Sequence, residues 1–375
     1  MASQSAPGFI HRTYSPRLPS AAALLPYLEE IDRNRWYTNF GPLSRRFEAR
    51  LAAHYGLEAE RVTAVANCTL GLILVLDSYE LPQGSLCALP SWTFVATAAA
   101  VRQAGLVPWF LDVDSQTWQL TPEIVEAALP AAPGAVGAVL TVAAFGDQVD
   151  ASAWAAFRRR HDLPVITDAA AAFDTVTPAS APAVVSLHAT KPLGIGEGGF
   201  VISETAAQGE AIRRRSNFGF DQHHAAAWRG SNAKLSEYGA AVGLAALDAW
   251  PQTRRAFLRL GENFRQALAA GPGGFELAPP FRRSAVSSTC NLLLAHPRAQ
   301  QVIAQLHRGG IEARQWWGGG CHAQPVYADE PRQPLPVTED LARRTLALPY
   351  HPELSPAAMA EIAGALHHAV AQPAG

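Results

Sequence analysis

Paired cysteines are missing from this sequence. Cys68, Cys87, Cys290 and Cys321 stand far apart and no C-x-x-C occurs, which speaks against a zinc site or a disulfide framework and suits a reducing cytoplasm. A surplus of basic charge is missing too. The 30 Lys and Arg against 32 Asp and Glu leave a net charge of −2, so there is no electrostatic footprint for nucleic acid. Local basic groups would still suffice for the polyphosphate of a nucleotide. Long apolar runs are also absent near the start, where Ala21–Leu28 is too short and too proline-flanked for a signal or a membrane span. Lysine itself is scarce: only Lys191 and Lys234 occur, in a chain that otherwise uses arginine.

What is present reads as an α/β protein of the cytoplasm, with 49% hydrophobic residues, enough for two cores of unequal size. From residue 43 onward, amphipathic helical stretches alternate with short, nearly all-apolar strands. The strands are expected at 62–66, 85–90, 106–113, 136–143, 163–168, 183–189 and 198–203, which predicts a buried, mostly parallel sheet clothed by helices on both faces. Residues 232–270 read as two helical stretches separated at Pro251. We therefore expect a large domain over residues 1–250 and a smaller C-terminal α/β domain over 251–375. The latter would hold a strand at 289–295 and helices at 299–308, 338–346 and 355–370.

Lys191 follows a strand and precedes the glycine-rich run GIGEGG. Ligands of open α/β sheets gather at strand ends, although an isolated lysine is ordinarily just solvated. A desolvated lysine amine can lose its proton and attack an aldehyde, whereas arginine cannot. Asp168 closes the strand LPVITD, 23 positions earlier. A carboxylate at a buried strand end needs a cationic or donor partner; a protonated pyridine nitrogen would serve, and capping the next helix would serve equally. Asn67-Cys68-Thr69 lies at a strand-to-helix turn, where free N–H groups favour a phosphate or Asn67 acts as a simple cap. Phe94 has the shape to cover one face of a cofactor ring, yet alone it reads as a core aromatic. The glycine run precedes a strand instead of opening a helix, so it fails as a dinucleotide loop and reads as tight-turn geometry. His223-His224 are adjacent and lack supporting carboxylates, so they read as loop residues and no metal is expected.

Taken in order, WYTNFGPLSRRFEARLAAHYG, VANCTLGL, LPSWTFVATAAAVRQAGLVPWFLDVD, VITDAA, SLHATKPLGIGEGGFV, GSNAKLSEYGAAVGLAAL, CHAQPVY and ARRTLALPYHPEL resemble the DegT/DnrJ/EryC1/StrS family of sugar aminotransferases. The resemblance runs from about Trp36 onward and implies the aspartate-aminotransferase-like architecture known as fold type I. It implies pyridoxal 5′-phosphate held as a Schiff base by Lys191, with Asp168 at the pyridine nitrogen and Phe94 stacked on the ring. Cys68, Thr69 and Ser186 fall where the family binds the phosphate. Asn232 matches an asparagine that reaches the phosphate of the neighbouring subunit, which implies a homodimer with a composite site. Asn39, Trp316, Trp317 and His322 would lie around the sugar, a packed loop being the other reading of the two tryptophans.

The implied reaction passes an amino group from L-glutamate to a nucleotide-linked 3- or 4-keto-6-deoxy sugar, with the 4-position favoured. Two departures stand out: Ala171 occupies a position where many members place His or Gln against the cofactor's 3′-oxygen, and Lys234 replaces a common Arg. The rivals are a keto-cyclitol aminotransferase, a sugar dehydratase and a non-catalytic binding or regulatory protein on the same fold. Family dehydratases replace the lysine with histidine, so Lys191 argues against that route, and His188 is at the wrong position for it.

Overall fold

The computed structural model describes residues 8–180, 182–283 and 285–372. Two helices come first, α1 (Ala21–Asn34) and α2 (Pro42–His54). Then strands and helices alternate as β1 (Val62–Val65), α3 (Cys68–Ser78), β2 (Leu86–Pro90), α4 (Val95–Gln103), β3 (Val107–Leu111), α5 (Pro122–Ala128), β4 (Val136–Val142), α6 (Ala151–His161) and β5 (Val165–Asp168). They are followed by β6 (Ala183–Ser186), β7 (Gly199–Ile202) and α7 (Ala206–Ser216). The seven strands form one sheet in the order β1-β7-β6-β5-β4-β2-β3. All neighbours run parallel except β7, which is antiparallel to both β1 and β6. The expected mostly parallel α/β sheet is thus observed.

Period-two alternation explains why this sheet is buried on both sides. Along β4, Val139 joins one core and Leu140 the other; along β5, Val165 and Ile166 divide in the same way, as do Val185 and Val184 of β6. One face packs against Leu72 and Val75 of α3, Val101 of α4 and Ile212 of α7. The other packs against Phe47 of α2, Phe157 of α6 and the first half of α8 (Glu237–Ala269).

Helix α8 corrects the expected break at Pro251: it runs unbroken for 33 residues with Pro251 inside it. A proline in a helix interior costs about 3 kcal/mol. Leu244, Leu247, Trp250, Leu260 and Phe264 are each buried on both sides of it, and each buried side chain of that size returns about 1.5–3 kcal/mol. Packing therefore outweighs the lost backbone hydrogen bond. Beyond it lie β8 (Phe275–Leu277), α9 (Pro279–Arg282), β9 (Cys290–Leu294), α10 (Ala299–Arg308), α11 (Pro336–Arg344), β10 (Thr345–Leu348) and α12 (Pro356–Ala371). The second sheet is antiparallel, in the order β10-β9-β8. The helix expected to reach residue 346 stops at Arg344, because Thr345–Leu348 pair with β9 and are fully buried. The segment before α1 crosses to this smaller sheet: Ile10 N–H donates to the Gly310 carbonyl at 2.8 Å, and Tyr350 N–H to the Thr13 carbonyl at 2.9 Å. Among the described residues, no helix is long and apolar enough to cross a membrane.

Candidate active site

Parallel strands β4 and β5 end beside one another, and Asp168 is the last residue of β5. Its carboxylate is buried. Oδ2 accepts the Thr97 hydroxyl at 2.8 Å and Oδ1 accepts the Ala170 N–H at 3.1 Å. Burial pushes its pKa above the ordinary carboxylate range, opposed by those two donors and by the charge of Lys191. Lys191 sits in the turn between β6 and β7, where its N–H donates to the His188 carbonyl at 2.8 Å. Burial pushes its ammonium pKa down, opposed by Cys68 and Asp168. An amine whose burial disfavours its charged form and a carboxylate whose burial does the same thus lie close enough to feel one another's charge.

The turn is as tight as its glycines suggest. A Cβ on Gly194 would come 2.7 Å from the Ala189 carbonyl oxygen, and Gly196 adopts φ +101°. His188 is held within it by Thr190 at 2.9 Å and lies 3.7 Å from Glu197.

Helix α3 starts against the same strand ends. Asn67 caps it, accepting Leu70 N–H at 2.9 Å. Cys68 turns its thiol into the sheet toward the Val184 carbonyl, and burial raises the thiol pKa well above its ordinary value. Only its backbone is therefore available to a ligand. A Cβ on Gly199 would lie 2.9 Å from the Cys68 nitrogen, so that glycine keeps β7 close to the start of α3. Thr69 is half-buried there, and the buried Ser186 hydroxyl accepts His188 N–H at 3.2 Å. These groups suit a phosphate: a helix N-terminus and two hydroxyls beside a backbone approach that a side chain would block.

Phe94 precedes α4 and is 51% exposed. The lone-residue expectation of a core aromatic is thereby corrected, since about half of its surface is open. His322 is half-buried, with Nδ1 2.7 Å from the Ser91 hydroxyl. Trp317 is packed, stacked on Phe145 at 3.8 Å and edge-on to Trp92 at 5.3 Å. Trp316 lies under the Arg314 guanidinium and 6.1 Å from the ring of Tyr14. Ala171 contributes no polar group beside Asp168.

Asn39 and Asn232 are both exposed. Asn39 sits in a left-handed turn at φ 62°, and the Asn232 segment is tied to the end of β1 by Ala66 N–H donating to the Ala233 carbonyl at 2.7 Å. Lys234 is not free: its ammonium donates to Asn217 Oδ1 at 2.8 Å and lies over the Phe218 ring. His223 and His224 are exposed loop residues.

A cleft of about 760 Å³ has Tyr14, Arg17, Lys191, Gln252 and His351 among its walls, but not Asp168, Thr69 or Phe94. A second hollow of about 520 Å³ is walled by Thr69, Val95, Gln324 and Tyr327. Charge and burial, rather than volume, therefore locate the site. Sequence reasoning missed Thr97, Ser91, Gly199 as a spacer, and Glu237. The Thr93/Thr97 spacing across the first turn of α4 was a usable signal, since their hydroxyls meet at 2.8 Å. Glu237 is buried and accepts the N–H groups of Leu43 and Ser44, both at 2.8 Å, which holds the start of α2 to the start of α8.

The model of the DegT/DnrJ/EryC1/StrS aminotransferase family matches residues 20–367. The erythromycin biosynthesis sensory transduction protein EryC1 of Saccharopolyspora erythraea is 32% identical, over 91% of this chain and 95% of its own. The dTDP-4-amino-4,6-dideoxy-D-glucose transaminase of Shigella dysenteriae is 29% identical, over 91% and 94%. The structure of DesI in the presence of its TDP-sugar product superposes with a TM-score of 0.86 at 32% identity, covering 96% of this chain and 93% of that one.

Proposed function

The chain belongs to the DegT/DnrJ/EryC1/StrS aminotransferase family and is a pyridoxal-phosphate-dependent aminotransferase, and from that premise we propose that it moves an amino group from L-glutamate to a nucleotide-linked keto sugar. A 3- or 4-keto-6-deoxyhexose is the proposed acceptor, with the 4-position favoured. The observation that carries the catalytic reading is the buried pair: Lys191 with a depressed ammonium pKa, facing Asp168 with a raised carboxyl pKa. The named relatives that act on dTDP- and TDP-sugars support the substrate class.

The residues fit the cofactor. Asp168 is a buried carboxylate in need of a cation, the start of α3 beside Gly199 is open to a phosphate, and Phe94 offers an uncovered ring. Bound pyridoxal phosphate supplies an electron-withdrawing ring for the electron pair released at the donor's Cα. Asp168, its own position fixed by Thr97, would hold the ring nitrogen in its protonated form. Cys68 and Thr69 N–H groups and the Ser186 hydroxyl would hold the phosphate. Lys191 Nζ would take the proton from the donor's Cα and return it to the cofactor's C4′, a role that needs the neutral amine its burial favours. Asn39, Trp316, Trp317 and His322 would lie around the sugar.

We also assign a homodimer with Asn232 reaching the partner's phosphate. Trp36, Tyr37, Phe94, Phe218 and Tyr238, all 45% exposed or more, support it as apolar surface of a kind a partner covers. The proposed large and small domains divide near residue 250, within α8.

Borohydride trapping of the cofactor-loaded enzyme, followed by peptide mass spectrometry, is expected to label Lys191 alone. Label elsewhere, or none, overturns the mechanism. A panel of nucleotide-linked keto sugars with glutamate, read by 2-oxoglutarate release, tests the substrate. Turnover of a keto-cyclitol alone would overturn the sugar assignment.

A further inference from the structure

Ser91 opens the turn that leaves β2 and has no exposed surface. Its N–H donates to the Leu111 carbonyl at 2.9 Å, and its carbonyl accepts the Cys321 N–H at 2.8 Å. Its hydroxyl oxygen accepts the His322 backbone N–H at 3.2 Å and lies 2.7 Å from Nδ1 of the same histidine. The Cys321 thiol adds a contact to the Thr93 carbonyl at 3.4 Å. The segment carrying His322 is thus clamped onto the turn that carries Phe94.

A serine hydroxyl has one hydrogen and two acceptor positions. If Nδ1 carried the imidazole hydrogen, the Ser91 oxygen would accept two N–H groups and its own hydrogen would need another acceptor. Among the described residues that hydroxyl has no other hydrogen bond, and a buried O–H without an acceptor is costly. The arrangement closes only when Ser91 O–H donates to an unprotonated Nδ1. The ring hydrogen then sits on Nε2, which has no hydrogen-bond partner among the described residues.

We propose that Ser91 is a positioning residue that holds His322 as the neutral Nε2–H tautomer, so that the ring offers a donor to an oxygen of the acceptor substrate. That His322 faces the acceptor, and which acceptor it is, rest on the reading given under Proposed function. Protonating Nδ1 would strand the serine hydrogen. Burial and the nearby Arg332 guanidinium also oppose a charged ring, against the pull of Glu339 and Asp112. Asp112 is already engaged by Val337 N–H, Thr338 N–H and the Thr338 hydroxyl, each at 2.7–2.8 Å.

The test is nitrogen-15 NMR of the cofactor-loaded enzyme labelled at its 12 histidines, with H322Q identifying the His322 signals. The expected result is a pyridine-like Nδ1 and a protonated Nε2, lost or mixed in S91A and kept in S91T. Steady-state kinetics should show kcat/KM for the keto sugar falling roughly ten-fold in S91A, with the glutamate half-reaction unchanged and S91T rescuing the loss. A protonated Nδ1 in the wild-type enzyme, or an unaltered tautomer in S91A, overturns the proposal. If the tautomer result holds while no nucleotide-linked keto sugar is turned over, the substrate reading fails and the Ser91–His322 assignment stands.

Discussion

Thr97 and Asp168 meet at the carboxyl end of the sheet, 71 residues apart, through one hydroxyl donating to Oδ2 at 2.8 Å. Thr97 belongs to the first turn of α4 and Asp168 to the end of β5, so the bond joins the element next to Phe94 to the element that faces Lys191. It also sets charge: the Thr97 donor lowers a carboxyl pKa that burial raises.

Removing that donor should move the acid limb of the pH profile. Asp168 must be ionised to hold a ring cation, so activity falls as pH drops through its pKa. In T97V the opposing hydrogen bond is gone, the pKa rises further, and the limb moves to higher pH. On the acid side kcat/KM should fall about ten-fold, the effect of one hydrogen bond to a charge, and T97S should restore it. An unchanged limb in T97V would assign that limb to another group.

Asp168 should also cost the cofactor-free protein stability. A carboxyl whose folded pKa exceeds its unfolded one binds more protons folded, so stability falls as pH rises from the ordinary carboxylate range through the raised value. Above that value the loss is complete. D168N removes it, and the cofactor-free variant should melt at or above the wild-type temperature at neutral pH while losing at least about a hundred-fold in activity. Thermal melts across pH, with the difference between the two proteins isolating this group, check the sign.

Much of this site was legible because its chemistry coincides with strand ends. Lys191 and Asp168 each follow an apolar run, and the alternation of runs and helical stretches fixed the sheet around them. The smaller features were less legible because they are tertiary. Nothing local distinguishes Ser91 or Glu237 as ligands of backbone groups 231 and 194 residues away in sequence. Pro251 misled for the same reason: a local helix breaker was outweighed by side chains buried both before and after it in the chain. Of the two readings of Trp317, the packed loop is supported by its stacking on Phe145, a residue just past β4 that no local pattern indicates.

Gly199 should be irreplaceable for cofactor binding. A methyl there would sit 2.9 Å from the Cys68 nitrogen and equally close to the Val185 carbonyl oxygen, both backbone atoms. Overpacking of this kind costs about 1–3 kcal/mol, and relief requires the start of α3 to move. G199A is expected to weaken pyridoxal phosphate binding roughly ten- to hundred-fold, measured by spectral titration, with far-ultraviolet circular dichroism unchanged. Wild-type affinity in G199A would remove the start of α3 from the phosphate site.

Glu237 should prove to be a structural carboxylate with a kinetic consequence. Its two oxygens take the N–H groups of Leu43 and Ser44, donors that no earlier carbonyl in α2 satisfies, and its own N–H donates to the Tyr37 carbonyl at 3.0 Å. Gly41 permits this approach, since a Cβ there would lie 2.6 Å from the Glu237 carboxyl carbon. The loop between those anchors carries Asn39, and the residues just before Glu237 carry Asn232 and Lys234. E237A is expected to lose about 3 kcal/mol of stability in chemical denaturation, and E237Q, which keeps one acceptor oxygen, about half of that. Both should raise KM for the acceptor more than they lower kcat, because the loop loses its register while Lys191 and Asp168 stay in place. A fall in kcat at constant KM would instead connect Glu237 to the proton-transfer groups.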